Sequence, residues 1–185
     1  LDTRVGRLVQ RGKSIAAVAT PQGHLEADHF VMALGADSAL MAQGLGLHLP
    51  VYPLKGYSIT VDVAPGDHVA PSVSVTDSAR KVVFARIGSR LRVAGMAELS
   101  GYNTAIDPAQ IASLQASTQA VFPACSRFES LNPWAGMRPA TPTGLPVIGR
   151  HAKGPDNLLF NTGHGALGFT LAFGSAQRIS RMLAR

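Results

Sequence analysis

The sequence predicts an α+β protein, in which an α/β part is combined with a mostly antiparallel sheet. Three observations lead to this prediction. Short strand patterns with Gly and Pro turns open the chain, an apolar run at residues 30–35 resembles a buried parallel strand, and one well-capped helix follows a second series of strand patterns. With 46% hydrophobic and 15% charged residues among 185, the chain can form one sizeable core or two small ones.

The first 50 residues predict a small meander followed by a parallel strand. Strand patterns at residues 8–9, 15–19 and 24–28 are separated by turns at Gly12 and Gly23. Residues 30–35 are apolar without interruption, which is typical of a strand buried on both faces of a parallel sheet. This strand ends at Gly35 and leads into a short helix, at the strand end where open α/β sheets bind ligands. An ordinary strand-to-helix turn is the alternative.

From residue 51 the pattern is antiparallel. Strands are predicted at residues 51–63, 73–75, 81–87 and 91–95, with a hairpin turn at Gly88. Asp107 and Pro108 then begin a helix, Gln110 occupies the position of a capping-box partner, and Pro123 ends the helix. The remaining residues predict, in order, a strand at 128–134, a Gly- and Pro-rich crossing at 136–149, a strand at 157–161 and a final helix from about Gly165.

The net charge of +6 raises the question of an anionic partner. The basic residues are dispersed, and no basic stretch is interleaved with aromatics, so we expect no nucleic-acid partner. A solvated basic surface is favoured, and peripheral association with an anionic membrane is the alternative. The sequence shows neither an apolar run long enough for a membrane span nor a secretory signal, so we expect a cytoplasmic protein, with the inner face of the membrane as the alternative location.

The cysteine and histidine content bears on disulfide bonds and metal sites. The single Cys125 cannot form an internal disulfide, which fits a reducing compartment. The six histidines are scattered and form no HExxH motif, so we predict no metal site.

Residues 163–168 (GHGALG) match GxGxxG between a predicted strand and a predicted helix. We reject a dinucleotide phosphate site here, because that fingerprint needs a further strand and an acidic residue about 20 positions on, and the sequence ends at Arg185. Glycines at a helix start still permit close backbone approach to a ligand and present amide groups to it. Gly168, Ala172 and Ala176 recur at helical spacing and predict a closely packed small face.

Two other stretches contain candidate site residues. Arg138 lies between Gly136 and Pro139 in a stretch that we interpret as a rigid loop, which could hold a guanidinium in place to bind a carboxylate through two hydrogen bonds. A structural arginine is the alternative. Tyr57 follows Gly56 at the start of a strand, where its hydroxyl could serve a substrate site, whereas a half-buried strand aromatic is the alternative.

Three segments together resemble a known family. Residues 51–58 (VYPLKGYS), 134–142 (WAGMRPATP) and 161–170 (NTGHGALGFT) are similar to the signature segments of the D-amino acid dehydrogenase small-subunit family. This family belongs to the larger group that contains D-amino acid oxidase, glycine oxidase and sarcosine oxidase. The sequence departs from the family pattern at Thr143, where Asp is usual, at Phe169, where Trp is common, and at Ala176, where Gly is usual.

The resemblance implies a partial FAD/NAD(P)-binding fold of the D-amino acid oxidase type. It assigns residues 1–50 and 137–185 to the remainder of the FAD-binding domain, and residues 51–136 to the substrate-binding domain. The family begins with a βαβ unit carrying its own GxGxxG, which is absent from this sequence, so we expect a fragment or truncated product that is inactive by itself.

The resemblance also implies cofactor, substrate and site residues. The complete enzyme would use FAD to deaminate D-amino acids oxidatively, and would pass electrons to a respiratory-chain acceptor. Arg138 would bind the substrate carboxylate and Tyr57 would hydrogen-bond in the substrate site. The residues implied at the flavin are Gly35, Lys55, Gly163, His164, Gly165, Leu167, Gly168 and Thr170. A glycine- or sarcosine-type amine oxidase and a catalytically inert fragment are the alternatives.

Overall fold

The structure is a computed structural model that describes residues 2–66 and 68–184. Arg185, a basic residue at the C-terminus, lies outside the described residues. The α-helices in these two ranges are α1 (Ser38–Gln43), α2 (Pro108–Val121) and α3 (Ala172–Leu183). The strands are β1 (Arg7–Arg11), β2 (Ser14–Thr20), β3 (Gly23–Glu26), β4 (Phe30–Met32), β5 (Tyr52–Asp62), β6 (Val75–Asp77), β7 (Val82–Ile87), β8 (Arg90–Glu98), β9 (Trp134–Ala140), β10 (Val147–Gly149) and β11 (Leu158–Thr162).

The backbone forms two compact units. The first contains residues up to Pro53 and from Arg138 onward, and the second is Leu54–Met137. The α+β prediction is confirmed by this mixture of helices with parallel and antiparallel strands. The assignment of the two parts to FAD and to substrate remains a prediction.

The first unit contains two three-stranded sheets. Strands β1, β2 and β3 form the antiparallel meander predicted from the sequence. The second sheet has the order β10-β11-β4, with β4 parallel to β11 and β10 antiparallel to it. The Asn157 side chain joins the two sheets, because it accepts from the Ile15 amide at 2.8 Å and donates to the carbonyls of Ile15 and Asp28. The buried core residues of this unit are Ile15, Met32, Ala42, Leu47, Leu49, Val51, Leu158 and Phe160.

The second unit is built on a five-stranded sheet with the order β6-β7-β8-β5-β9. Alternate residues of β5, β7 and β8 enter one hydrophobic core, as expected when one face of an antiparallel sheet is covered. Leu114 from α2 and the single Cys125 complete this core, and the Cys125 carbonyl accepts from the Ala64 amide. The sheet contributes Tyr57, Ile59, Val61, Val82, Phe84, Leu91 and Val93.

Helix α2 begins as its sequence predicts. The Asp107 side chain accepts a hydrogen bond from the Ala109 amide at 2.8 Å, and Pro108 occupies the first turn, where its missing amide hydrogen costs nothing. The buried face of α2 consists of Ile111, Leu114 and Thr118.

A β-bulge interrupts the pairing of β5 with β8. Tyr57 pairs with Gly95 whereas Lys55 pairs with Glu98, so two residue steps on β5 oppose three on β8. Met96 lies inside this bulge with a φ of 65°, which is unusual for a residue with a large side chain. The extra residue brings Glu98, instead of Ala97, opposite Lys55.

Several predicted elements are wrong or displaced. The strand predicted at residues 128–134 is irregular up to Trp134, because Phe128 and Asn132 have positive φ values of 57° and 39°. The predicted crossing at 136–149 instead contains the end of β9 and all of β10. The short strand predicted at 73–75 begins two residues later, at Val75.

The strand predicted at residues 30–35 is shorter than expected and is not buried on both faces. It forms β4, which ends at Met32, and Val31 is 42% exposed. Its pairing is nonetheless parallel, as predicted, and Leu158 to Phe160 of β11 lie beside it.

Candidate functional site

The ends of the two parallel strands bring two predicted site segments together in the first unit. Met32 near the end of β4 pairs with Phe160 of β11, so the segments that follow both strands emerge at the same sheet edge. Gly35 follows β4 and Gly163 follows β11. The Thr162 hydroxyl donates to the Gly35 carbonyl at 2.7 Å and fixes these segments to each other. This edge is where open α/β sheets place ligands.

Gly163 and Gly165 have different reasons for being glycine. Both have positive φ values, 79° and 56°. A Cβ on Gly163 would lie 2.7 Å from Cγ2 of Thr141 and 3.4 Å from the Val147 amide nitrogen, so there is no room for a side chain. A Cβ on Gly165 or Gly35 would have no neighbour within 4 Å. Open space therefore lies beside Gly35 and Gly165, whereas Gly163 is packed against the segment before β10.

The segment after Gly165 differs from the predicted helix start. Residues Gly165–Leu167 form one 3₁₀ turn, and α3 begins only at Ala172. The final helix was predicted from about Gly165, so its predicted start is wrong by seven residues. The amides of Gly165 and Ala166 still come first in the turn, before the Leu167 amide that donates to the His164 carbonyl at 3.0 Å.

The predicted small-residue face is also wrong. Ala172 and Ala176 are exposed, and the buried residues of α3 are Ser175 and Ile179. A Cβ on Gly168 would meet only the His164 Cβ, at an ordinary 3.8 Å. The turn is held to α3 by a hydrogen bond between Nε2 of His164 and the Ser175 hydroxyl, at 2.8 Å. Of the other predicted flavin residues, Leu167 and Thr170 are exposed.

Arg138 lies in a strand and not in the predicted rigid loop. It is a half-buried residue of β9, which is an edge strand of its sheet and therefore tolerates the adjacent Pro139. Burial lowers the pKa of the Arg138 guanidinium from its usual value. Since the ordinary pKa of arginine lies far above neutral pH, the group keeps its charge there. The strand backbone at Arg138 is more regular than the backbone of the predicted loop would be.

Tyr57 and Lys55 belong to a charged cluster inside the second unit. Both residues are 1% exposed. The Tyr57 hydroxyl donates to Oε2 of Glu98, and the Lys55 ammonium lies 3.7 Å from Oε1 of the same carboxylate. The ammonium also lies 5.1 Å from the centre of the Tyr57 ring, within the range of a cation–π contact. Tyr57 is thus fully buried, where the sequence suggested a half-buried side chain.

The cluster stabilises the charged forms of both ionisable partners. Hydrogen bonding with Tyr57 and the negative charge of Glu98 raise the pKa of Lys55, against the opposing effect of burial. The hydrogen bond from Tyr57 and the positive charge of Lys55 lower the pKa of Glu98, again against burial. The carboxylate is the accessible end of the cluster, with 33% of its side chain exposed.

Three partners of the candidate residues were not found from the sequence. Glu98 pairs with Lys55 and Tyr57, Ser175 with His164, and Thr162 with Gly35. Thr162 could have been suspected, because it directly precedes Gly163. Glu98 could not, because its position opposite Lys55 depends on the bulge at Met96.

The chain belongs to the FAD dependent oxidoreductase (DAO) family, whose model matches residues 1–182. Among curated relatives, it is 46% identical over 183 residues to D-amino acid dehydrogenase 2 of Pseudomonas aeruginosa, covering 98% of this chain and 43% of that protein. It is 48% identical over 181 residues to D-amino acid dehydrogenase 2 of Ralstonia nicotianae, covering 94% and 42%. The chain thus spans less than half the length of these relatives.

Solved structures share the fold at lower identity. An iminodiacetate oxidase from Chelativorans superposes with a TM-score of 0.85 at 22% identity, over 100% of this chain and 50% of that one. A glycine oxidase from Geobacillus kaustophilus superposes with a TM-score of 0.84 at 23% identity, over 96% and 47%. No helix in the described ranges 2–66 and 68–184 is long and apolar enough to cross a membrane.

Proposed function

We propose that this chain supplies substrate-binding residues and one edge of the cofactor site to an FAD-dependent enzyme that oxidises D-amino acids to 2-oxo acids. The observation that supports this most is the sheet edge that joins Gly35 to the 163–165 turn, in a chain that belongs to an FAD-dependent family. The D-amino acid specificity comes from the names of its curated relatives.

The residues at this edge fit the rim of a flavin ring. Open space lies beside Gly35 and Gly165, and the amides of Gly165 and Ala166 offer hydrogen-bond donors next to it. Donors at this position suit a ring that becomes richer in electrons on reduction. In this proposal the edge is formed by Gly35, Gly163, His164, Gly165, Leu167, Gly168 and Thr170, with Lys55 as a further cofactor residue. When bound, FAD supplies the acceptor for the two electrons that leave the substrate.

Arg138 binds the substrate carboxylate in this proposal. A half-buried guanidinium holds a carboxylate more strongly than a fully hydrated one, and its planar fork fixes the carboxylate in two places. The fixed substrate then loses its α-hydrogen as hydride, and water converts the imino acid to a 2-oxo acid and ammonia. Tyr57 is fully buried and serves the substrate site through Glu98, whose partly exposed carboxylate accepts the Tyr57 hydroxyl hydrogen.

The test uses the full-length enzyme that contains this segment. Arg138→Ala should lower kcat/KM for a D-amino acid about ten- to a hundredfold, because a hydrogen bond to a charged group is worth about 1.5 to 3 kcal/mol. Arg138→Lys should recover only part of this loss, since lysine keeps the charge without the fork. Flavin reduction by a D-amino acid and by the matching amine without a carboxylate should be compared in each variant.

A clamp and a structural arginine give different results. If Arg138 binds the carboxylate, the loss falls on the amino acid, and reduction by the amine changes little. Equal losses for both substrates, together with a lower Tm, would show that Arg138 is structural and would end the proposal. Turnover of glycine and sarcosine by the wild-type enzyme separates the alternative amine-oxidase function from D-amino acid oxidation.

The electron acceptor and the location form part of the same proposal. The relatives' name, dehydrogenase, supports a respiratory-chain acceptor in place of oxygen, and the basic residues near the C-terminus, such as Arg178 and Arg181, support peripheral contact with the inner face of the membrane. Faster turnover with a quinone than with oxygen is expected. Release of the enzyme from membranes by salt is the matching test of location, because exposed charges are screened.

A further inference from the structure

Ser175 is a buried serine of α3, with 4% of its surface exposed. A buried hydroxyl without a hydrogen-bond partner is costly, so the position of its partner is informative. Serine in a helix often bonds to the carbonyl four residues earlier. Here the Leu171 carbonyl accepts from the Ser175 amide, whereas the Ser175 hydroxyl lies 2.8 Å from Nε2 of His164, outside the helix. Ser175 therefore connects α3 to the segment that precedes it.

His164 closes the 3₁₀ turn at Gly165–Leu167. Its carbonyl accepts from the Leu167 amide at 3.0 Å. Its side chain is half-buried and also lies beside the far end of the turn, because a Cβ on Gly168 would meet the His164 Cβ at 3.8 Å. The hydrogen bond to Ser175 thus joins α3 to the residue on which the turn is built.

The side chains of the turn itself give it little anchorage. Leu167 and the following Phe169 are exposed, so they do not pack the turn onto the first unit. Before the turn, Gly163 is packed against the segment that precedes β10. After it, the contact with the buried part of α3 is the hydrogen bond between His164 and Ser175. The position of the turn relative to α3 therefore depends on this hydrogen bond.

We propose that Ser175 is a positioning residue for the cofactor edge, which acts by holding His164 and, through it, the turn. The inference rests on the proposed function, since it takes the amides of Gly165 and Ala166 as the donors to the flavin. Donors that are fixed in advance stabilise developing negative charge better than donors that must be reoriented. Ser175 therefore strengthens binding of the reduced cofactor more than binding of the oxidised one.

The test measures the midpoint potential of the bound flavin in the full-length enzyme. In Ser175→Ala, the reduced cofactor should lose about tenfold more affinity than the oxidised one, which lowers the midpoint potential by about 30 mV for a two-electron couple. The flavin retained through gel filtration should fall as well. Alanine is a better helix former than serine, so a weaker α3 does not account for such a loss.

Ser175→Thr separates the hydrogen bond from the stability of the helix. Threonine keeps the hydroxyl but is a poorer helix former than alanine. We expect its midpoint potential to lie closer to wild type than that of Ser175→Ala. A role through helix stability alone gives the opposite order. Ser180→Ala, which removes an exposed serine from the same helix, is the matched control and should change neither the potential nor the flavin content.

Variants of His164 test the other side of the contact. His164→Gln places an amide near the position of Nε2, whereas the shorter side chain of His164→Asn reaches only the position of Nδ1. The glutamine variant should therefore keep a midpoint potential closer to wild type than the asparagine variant. This pair provides the same comparison without adding a methyl group at the buried Ser175.

This inference and the proposed function fail in different ways. An unchanged midpoint potential in Ser175→Ala overturns the role of Ser175, and so does an equal change in Ser180→Ala. Complete loss of flavin in Ser175→Ala supports it if Ser175→Thr retains flavin, and overturns it if Ser180→Ala loses flavin equally. If Ser175 fails while Gly165→Ala still loses flavin, the proposed cofactor edge stands without this inference. If Gly165→Ala retains its flavin, the proposed edge itself falls.

Discussion

Glu98 is the shared partner of two buried polar side chains of the second unit, Lys55 and Tyr57. Lys55 and Tyr57 are both buried on β5, and a buried ammonium or hydroxyl without a partner is costly. One carboxylate serves both groups and remains partly hydrated itself. Removing Glu98 would leave Lys55 as an uncompensated buried charge, which is a more severe change than losing a surface ion pair.

We predict that Glu98→Gln lowers the Tm and changes its dependence on pH. Because the pKa of Glu98 is lowered in the folded state, its contribution is present above the unfolded-state value of about 4.3 and is lost as pH falls through the folded value. Because the pKa of Lys55 is raised, its contribution is present below about 10.4 and is lost as pH rises through the folded value. The Tm difference from wild type should therefore be constant from about pH 6 to 9 and shrink below about pH 4.

The matched control is Glu129→Gln, which removes a carboxylate from the same unit. Glu129 is exposed and lies 4.0 Å from the exposed Arg127, so this pair contributes little. Thermal unfolding followed by circular dichroism across the pH range provides the comparison. The same small Tm change in both variants at every pH would contradict the role of Glu98 as partner of a buried charge.

At the level of elements, β9 shows where sequence patterns mislead. Gly136 and Pro139 suggested a loop, yet an edge strand accommodates both, since proline needs no partner on the open side. Conversely, the apolar residues near Phe128 suggested a strand, but positive φ values at Phe128 and Asn132 prevent a regular one. The meander and α2 were predictable because their turns and cap are encoded within a few residues of the element itself.

In the turn after β11, substitutions at Gly163 and Gly165 should have different effects. The first should affect packing, and the second should affect contact with the cofactor. Gly163→Ala should reduce the free energy of unfolding by about 1 to 3 kcal/mol more than Gly165→Ala, because only the first new Cβ collides with its surroundings. Both variants share the cost of about 1 to 2 kcal/mol for a left-handed alanine. In the full-length enzyme, however, Gly165→Ala should lose bound flavin, since its methyl group enters the open space assigned to the cofactor.

Gly144→Ala is the control for backbone strain. Gly144 has a φ of 74°, and a Cβ there meets no atom within 4 Å, but it lies in the exposed turn between β9 and β10. Urea unfolding and the ratio of flavin to protein absorbance should be measured for all three variants. Equal flavin content in Gly144→Ala and Gly165→Ala would show that Gly165 does not face the cofactor.

For the whole molecule, the backbone divides into two compact units after Pro53 and after Met137. The FAD-binding and substrate-binding domains expected from the family resemblance stay a prediction. Family membership was predictable because three short segments carry it jointly. The spatial arrangement of the candidate site residues was harder to predict from the sequence. Thr162, Ser175 and Glu98 each hydrogen-bond to a candidate residue that is not adjacent in sequence.

We predict that the 185-residue chain, expressed by itself, does not retain FAD through gel filtration. Tight binding of a dinucleotide relies on backbone amides and a helix N-terminus around its pyrophosphate, whereas residues 163–168 contain only a single 3₁₀ turn, Gly165–Leu167. The purified chain should be colourless, with flavin absorbance below about a tenth of that expected for a stoichiometric complex. A yellow protein with one flavin per chain would show that the glycine edge alone suffices.

Cys125 makes local unfolding of the second unit measurable by thiol labelling. The thiol is completely buried among core residues, and burial raises its pKa, so little of the reactive thiolate forms in the folded state. A thiol reagent can therefore modify the chain only when this core opens, and the single cysteine makes the signal unambiguous. The rate of labelling would measure how often this core opens under native conditions. It would include openings too rare to be detected in a circular dichroism spectrum.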